Sequence, residues 1–202
     1  MRRALGVLLV SVVMLGAPAW ARAERAWERG ALLLGGGVTS SASADVRDVA
    51  DAGFLWSLRL ASSARRILGG EVHYTGSTQS LHAPGLDGDA KLLGTQLGFN
   101  LRFNLPLPVG QGLIAPFGFG GAGWGRYDLY DADFNASRVG KSDSFAILPL
   151  GAGLALATRG WMLDARMTYR GTLDDDLVRS ADGGRGSLAT WSAEISLGTE
   201  LR

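Results

Sequence analysis

The 202-residue chain has no cysteine. No disulfide can staple it, so its stability rests on burial or on the solvent it sits in. Lysine occurs only at Lys91 and Lys141, although the solvent face of a soluble sheet normally carries a mixture of lysine and glutamate. Beyond residue 23 no apolar run reaches the ~20 residues of a membrane-spanning helix. Helical periodicity is nowhere sustained. Histidine is limited to His73 and His82, which leaves little material for histidine-based catalysis or metal binding. The formal net charge is +1, so there is no electrostatic reason to expect nucleic acid as a partner.

What is abundant is glycine, at 30 residues, about twice the usual share of ~7%. The N-terminus follows export grammar. Arg2 and Arg3 precede an apolar run from Ala4 to Trp20, and Ala21-Arg22-Ala23 supplies the small residues that a signal peptidase reads. The expected organisation is a cleaved signal peptide over residues 1–23 and a single domain over 24–202. Without Arg2, Arg3 and Arg22 the 20 basic residues fall to 17 against 19 acidic, so the exported chain is slightly acidic.

The mature region alternates apolar and polar residues with a period of two, interrupted by Gly, Asp, Ser and Pro clusters. This pattern predicts eight strands, near 28–39, 52–62, 66–77, 90–104, 113–127, 144–157, 161–173 and 187–201. Long polar connections such as TSSASADVRDVA, STQSLHAPGLDGD, DLYDADFNASRVGKS and DDDLVRSADGGRG follow the odd-numbered strands. SSAR, LPLPVGQG and TRG follow the even ones. Such segregation fits an all-β, eight-stranded, antiparallel up-and-down transmembrane barrel with short periplasmic turns and long outer loops.

Opposite faces of the strands carry opposite chemistry. Phe54, Trp56, Leu58 and Leu60 oppose Ser57 and Arg59; Leu93, Leu97, Phe99, Leu101 and Phe103 oppose Gln96, Asn100, Arg102 and Asn104. Trp161, Leu163, Ala165, Met167 and Tyr169 oppose Asp164, Arg166, Thr168 and Arg170, while Trp191, Ile195 and Leu197 oppose Glu194 and Glu200. Aromatics at Trp56, Tyr74, Trp161, Tyr169 and Trp191 sit in the apolar rows near strand ends, where membrane interfaces favour amphipathic rings. Arg59, Arg102, Arg126, Arg166 and Arg170 are matched in the polar rows by Glu71, Asp128, Asp164, Glu194 and Glu200. The expectation is apolar rows toward lipid and a charge-matched interior. GFGGAGWG and LGAGLALA, small on both faces, are read as relief for curvature and lumen crowding. GALLLGGGV leaves the parity of the first strand open.

The stretch Ala115-Pro116-Phe117-Gly118-Phe119-Gly120-Gly121-Ala122-Gly123 resembles the Pro-aromatic-x-Gly-x-Gly-x-Gly strand of the small OmpA/OmpX-like outer-membrane barrels of Gram-negative bacteria. The hairpin from Gly151 to Tyr169 around Thr158-Arg159-Gly160 is similar as well. The final strand resembles their assembly signal at Ser196, Gly198 and Leu201, although it stops at Arg202 where the family ends on an aromatic. The resemblance implies an exported, monomeric outer-membrane protein. Its partners would be outer-membrane lipid, lipopolysaccharide and the barrel-assembly machinery, with no nucleic acid. The last strand runs to the end of the given sequence, so the peptidoglycan-binding domain of the larger OmpA proteins is expected to be absent.

The function expected is structural, adhesive or surface-interactive, without a large pore, because an eight-stranded barrel is just wide enough for side chains to fill. An OmpW-like passage for small hydrophobic ligands or a narrow channel is the alternative, and a lipid A modifying enzyme a third reading. For the third, His73 shares an inward row with Glu71, Thr75 and Ser77, yet it lacks the surroundings of a deacylase and is read as a lumen hydrogen-bonding residue. His82 lies in a polar loop beside Pro84. Asp174-Asp175-Asp176 lacks the alternate-position pattern of a calcium loop. Asn135-Ala136-Ser137 matches a glycosylation triplet that carries little meaning in this compartment. No catalytic, cofactor-binding or metal-binding residue is assigned, and no cofactor is expected.

Overall fold

A computed structural model describes residues 30–42, 51–80, 91–130, 142–173 and 189–201. The signal peptide expected at 1–23 lies outside the described residues, as do His82, Lys141, the Asn135-Ala136-Ser137 triplet and the aspartates 174–176.

Among the described residues nine strands form one antiparallel sheet: β1 (Gly30–Ser41), β2 (Gly53–Ser62), β3 (Leu68–Ser80), β4 (Lys91–Asn104), β5 (Leu107–Val109), β6 (Gly112–Tyr130), β7 (Ser142–Thr158), β8 (Trp161–Leu173) and β9 (Thr190–Glu200). Each long strand pairs with its sequence neighbours, β1 pairs with β9, and β4 pairs with β6, closing an eight-stranded barrel. Closure gives backbone donors and acceptors partners around the whole circumference, the condition for a sheet to cross hydrocarbon. The eight expected strands are present, with β6 and β7 longer than the alternation suggested.

The ninth strand, β5, lies within LPLPVGQG, where the sequence pattern predicts only a short connection. It pairs only with β6, Val109 facing Gly112, around Gly110 at φ +57°. Its Pro108 has no N–H to give, which suits an edge strand. The other tight turn, Arg159-Gly160 between Thr158 and Trp161, has positive φ at both residues (49° and 86°). That geometry is a type I′ turn, whose twist matches the flanking strands.

The outer surface is apolar nearly all the way round. Leu34, Phe54, Leu97, Leu101, Phe103, Leu150, Trp161, Met167, Trp191 and Ile195 are all exposed. Soluble monomers rarely show contiguous apolar patches beyond a few hundred Å², so this surface is one that faces lipid. Trp56 leans on Tyr74 (ring centroids 5.2 Å apart) and Tyr169 on Trp191 (4.9 Å) along the same face. Strand β1 resolves its parity here: Ala31, Leu33, Thr39 and Ser41 are buried inside, whereas Leu32, Leu34 and Val38 look outward.

One expected inward pair lies elsewhere. Arg126 and Asp128 share the outward parity of Trp124, and Tyr127 between them is buried. They form a forked ion pair of 2.8–3.0 Å near the end of β6. The reason is strand length: β6 runs on to Tyr130, so its last outward positions extend toward the loop end of the barrel, where charges are tolerated.

Candidate functional site

The interior is layered. Nearest the short turns lies an apolar floor of Ala31, Leu33, Ala61, Leu113, Ala115, Phe117, Phe119, Ala155, Ala157 and Met162. The two phenylalanines point inward because the facing strand has glycine where their rings lie. A Cβ at Gly153 would come within 2.5 Å of Phe117, and one at Gly151 would collide with Phe119. The glycine-rich β6 and β7 therefore relieve lumen crowding as expected, but the aromatics they accommodate are inside, where the alternation had given no place for them.

Above the floor sits an ion network assembled from four strands and joined by β9. Arg166 on β8 grips Glu71 on β3 with two 2.8 Å bonds and reaches Asp164 at 2.9 and 3.1 Å. Arg102 on β4 donates to Asp164 at 2.6 Å, and Arg59 on β2 contacts Asp164 and Glu194, each at 3.2 Å. Arg59 and Arg102 also lie 3.8 and 3.9 Å from Glu71. The guanidinium of Arg102 stands 3.5 Å from the centre of the Phe117 ring, and that of Arg166 4.9 Å from Phe119, so the charged layer rests on the aromatic floor.

Hydroxyl and amide groups complete it. Asn100 donates to Glu71 at 3.1 Å, Ser57 donates to Glu194, and Ser196 both donates to Glu194 at 2.8 Å and accepts from Arg59. Gly35 lacks a side chain where Glu194 and Ser196 pass. Three cations thus meet three carboxylates in a buried layer. Buried ions of this kind need such dense pairing, because desolvation otherwise exceeds their attraction.

A closed barrel, greasy without and ionic within, places this chain among membrane barrels. The family described as outer membrane protein beta-barrel domain matches residues 7–198. The chain belongs to that family. Its fold is similar to Ail, the attachment invasion locus protein of Yersinia pestis, at 14% identity and a TM-score of 0.53, covering 86% of this chain and 99% of that one. It is similar to a major outer membrane protein of Thermus thermophilus as well, at 13% identity and a TM-score of 0.50, covering 86% and 98%. No curated protein sequence matches it.

Within this outer-membrane barrel the remaining expected site residues fall as follows. His73 is buried and its Nδ1 lies 3.2 Å from Asn100 Nδ2, in the hydrogen-bonding role expected of it. Thr75 and Ser77 share its inward row, but among the described residues no hydroxyl contacts the imidazole. Glu200 sits at the turn end, bonded by Ser63 at 3.0 Å and 3.5 Å from Arg65, outside the central network. Arg170 is buried above the network, where it donates to Ser192 at 2.5 Å. Among the described residues no carboxylate lies within 4 Å of it. Of the five and five matched from sequence, three of each form the central network, Arg126 pairs with Asp128 at the loop end, Glu200 pairs with Arg65, which the matching had left out, and Arg170 has no carboxylate within 4 Å among the described residues.

The alternation missed the floor. A signal for it was present: Phe117 and Phe119 have parity opposite to Trp124 on the same strand, so one of the two sets had to face inward.

Proposed function

We propose that this barrel is a sealed, monomeric, non-enzymatic anchor whose loops carry a structural, adhesive or surface-recognition role. The observation that carries the reading is the contrast between a filled lumen and long connections. The aromatic floor and the ion network leave a central cavity of about 10 Å³, room for a single water. Segments 43–50, 81–90, 131–141 and 174–188 all join strands at the other end of the barrel, away from the tight turns. Binding chemistry concentrates in loops held by a rigid scaffold. The fold is shared with Ail, a protein named for attachment and invasion. Outer-membrane lipid and lipopolysaccharide are the partners of the apolar belt in this reading, and the barrel-assembly machinery that of β9 after export by the N-terminal signal. An OmpW-like apolar passage has less support, because charged side chains cross the lumen where such a passage would run.

The test replaces each of the four long segments in turn by a short Gly-Ser linker in the full chain. Heat-modifiable migration of unboiled protein reports folding, and attachment of cells bearing the barrel reports function. Folded variants that lose attachment support the reading. Steady, sizeable conductance of the parent protein in planar bilayers overturns it in favour of a channel, and loss of a lipid A acyl change on His73→Ala overturns it in favour of an enzyme.

A further inference from the structure

A recess of about 430 Å³ lies at the tight-turn end of the barrel, between the β5–β6 and β7–β8 hairpins, and its volume is that of a small-molecule site. Gly112 is its cause. That residue pairs with Val109 on one side and Thr158 on the other, and without a side chain it leaves a gap between theirs; a Cβ there would come within 3.2 Å of Thr158 Cβ. Two residues further along, Ile114 of β6 pairs with Leu156 of β7, and both line the recess. Leu156 and Thr158 share the outward parity of the exposed Leu154, so the recess continues the lipid-facing wall. Thr158 also pairs with the exposed Trp161, an aromatic of the kind that marks a membrane interface.

A cation borders this apolar wall. Arg159 donates from Nε and Nη2 to Gln111 Oε1 at 3.3 and 3.0 Å, tying the two turns together across the recess. Its Nη1 has no protein partner among the described residues, and no described carboxylate lies within 4 Å of the guanidinium. Among the described residues Arg159 is also the sole non-glycine with positive φ, at 49°. Asparagine or glycine fits that turn position with less strain, so arginine contributes there through its side chain.

We propose that the recess binds the head-group region of a glycerophospholipid of the leaflet at the tight-turn end. Arg159 takes the phosphate oxygens, and Val109, Ile114 and Leu156 pack against the glycerol and the first acyl carbons. The proposal rests on the reading of this chain as a lipid-embedded barrel with its tight turns in the periplasm. A guanidinium fork matches phosphate geometry, and a phospholipid meets the cationic and the apolar demand in one molecule. Gly112 is paired on both sides, so an added peptide strand finds no free backbone in the floor of the recess.

The folded full chain, isotope-labelled in maltoside micelles, is titrated with diheptanoyl phosphatidylglycerol, with a short-chain diacylglycerol that lacks phosphate, and with inorganic phosphate. The amide resonances of Gly112 and Gly160 and the Nε–H resonance of Arg159 are followed. The expected result is saturable movement of all three with the phospholipid alone. Arg159→Gln raises the lipid fraction at half-saturation about two- to five-fold, the loss of one exposed ion pair, and Leu156→Trp, which fills the recess, abolishes saturation. Equal saturation by inorganic phosphate makes this a free-anion site, and equal saturation by diacylglycerol a purely apolar groove; either overturns the proposal. So do non-saturating drift with the phospholipid and parent-like saturation in both variants. Heat-modifiable migration of unboiled protein keeps two failures apart: a parent chain without the folded band refutes the barrel reading, whereas a folded parent without saturation refutes the lipid site alone. Should Arg159→Gln lose the folded band, the three titrations of the parent decide.

Discussion

Replacing Glu71 by glutamine tests whether the ion network is a mutual neutralisation. The Glu71 carboxylate takes two 2.8 Å bonds from Arg166, lies 3.8 and 3.9 Å from Arg59 and Arg102, and accepts a 3.1 Å bond from Asn100. Glu71→Gln keeps the volume and removes the charge, leaving four buried guanidiniums with Asp164 and Glu194. Removing one partner of a buried pair costs about 3–5 kcal/mol. With a urea slope of about 2 kcal/mol per molar, the unfolding midpoint falls by about 1.5–2.5 M. The assay is urea unfolding of the barrel in lipid vesicles, followed by disappearance of the fast-migrating unboiled band. Arg170→Gln, which removes a cation that has no carboxylate within 4 Å among the described residues, changes the midpoint by less than half as much. A double variant Glu71→Gln/Arg166→Met loses less than the two single losses combined, because each single change strands the other's charge. A Glu71→Gln midpoint within about 0.5 M of the parent refutes the argument, since so small a shift corresponds to roughly 1 kcal/mol.

Four further outcomes follow from the same geometry. Ile195→Arg puts a cation on the lipid face near mid-strand and costs about 2–4 kcal/mol, read as reduced refolding into vesicles; parent-like refolding would mean that this face does not meet hydrocarbon. Gly98→Val places a Cβ 2.7 Å from the His73 ring and costs about 1–3 kcal/mol of overpacking, which His73→Ala in the same chain relieves on thermal unfolding. Phe117→Ala/Phe119→Ala removes the floor beneath the ion layer, so single-channel events appear in planar bilayers for the double variant and not for the parent. Arg159→Asn stabilises the β7–β8 turn by up to about 1 kcal/mol, because asparagine tolerates the positive φ that arginine adopts there; an unchanged midpoint on thermal unfolding would count against a strained turn.

Much of the fold was legible because a strand's side chains alternate strictly. Once Trp161 and Asp164, or Ile195 and Glu194, fall on opposite parities, assigning one face to lipid assigns the other to the lumen. The segregation of long and short connections then gives antiparallel neighbours in order. The parity of β1 was not legible, since three successive glycines carry no polarity; its pairing with β2 and β9 places Leu33 inside. Position along the barrel axis was not legible either. Arg126 has the residue type of a lumen cation, and only the length of β6 takes it toward the loop end of the barrel.

By itself the sequence determined a membrane barrel: the eight barrel strands and the rows of Leu, Trp and Phe that meet lipid follow from a period of two, and the strand order follows from the lengths of the connections. The tertiary structure alone decided how the interior is filled. It set Phe117 against Gly153, brought Arg166 to Glu71 across strands that are not neighbours in the sheet, and left Arg170 without a carboxylate within 4 Å among the described residues. Alternation specifies a direction within one strand, whereas contacts across the lumen depend on the stagger between strands, and that quantity is fixed only when the barrel closes.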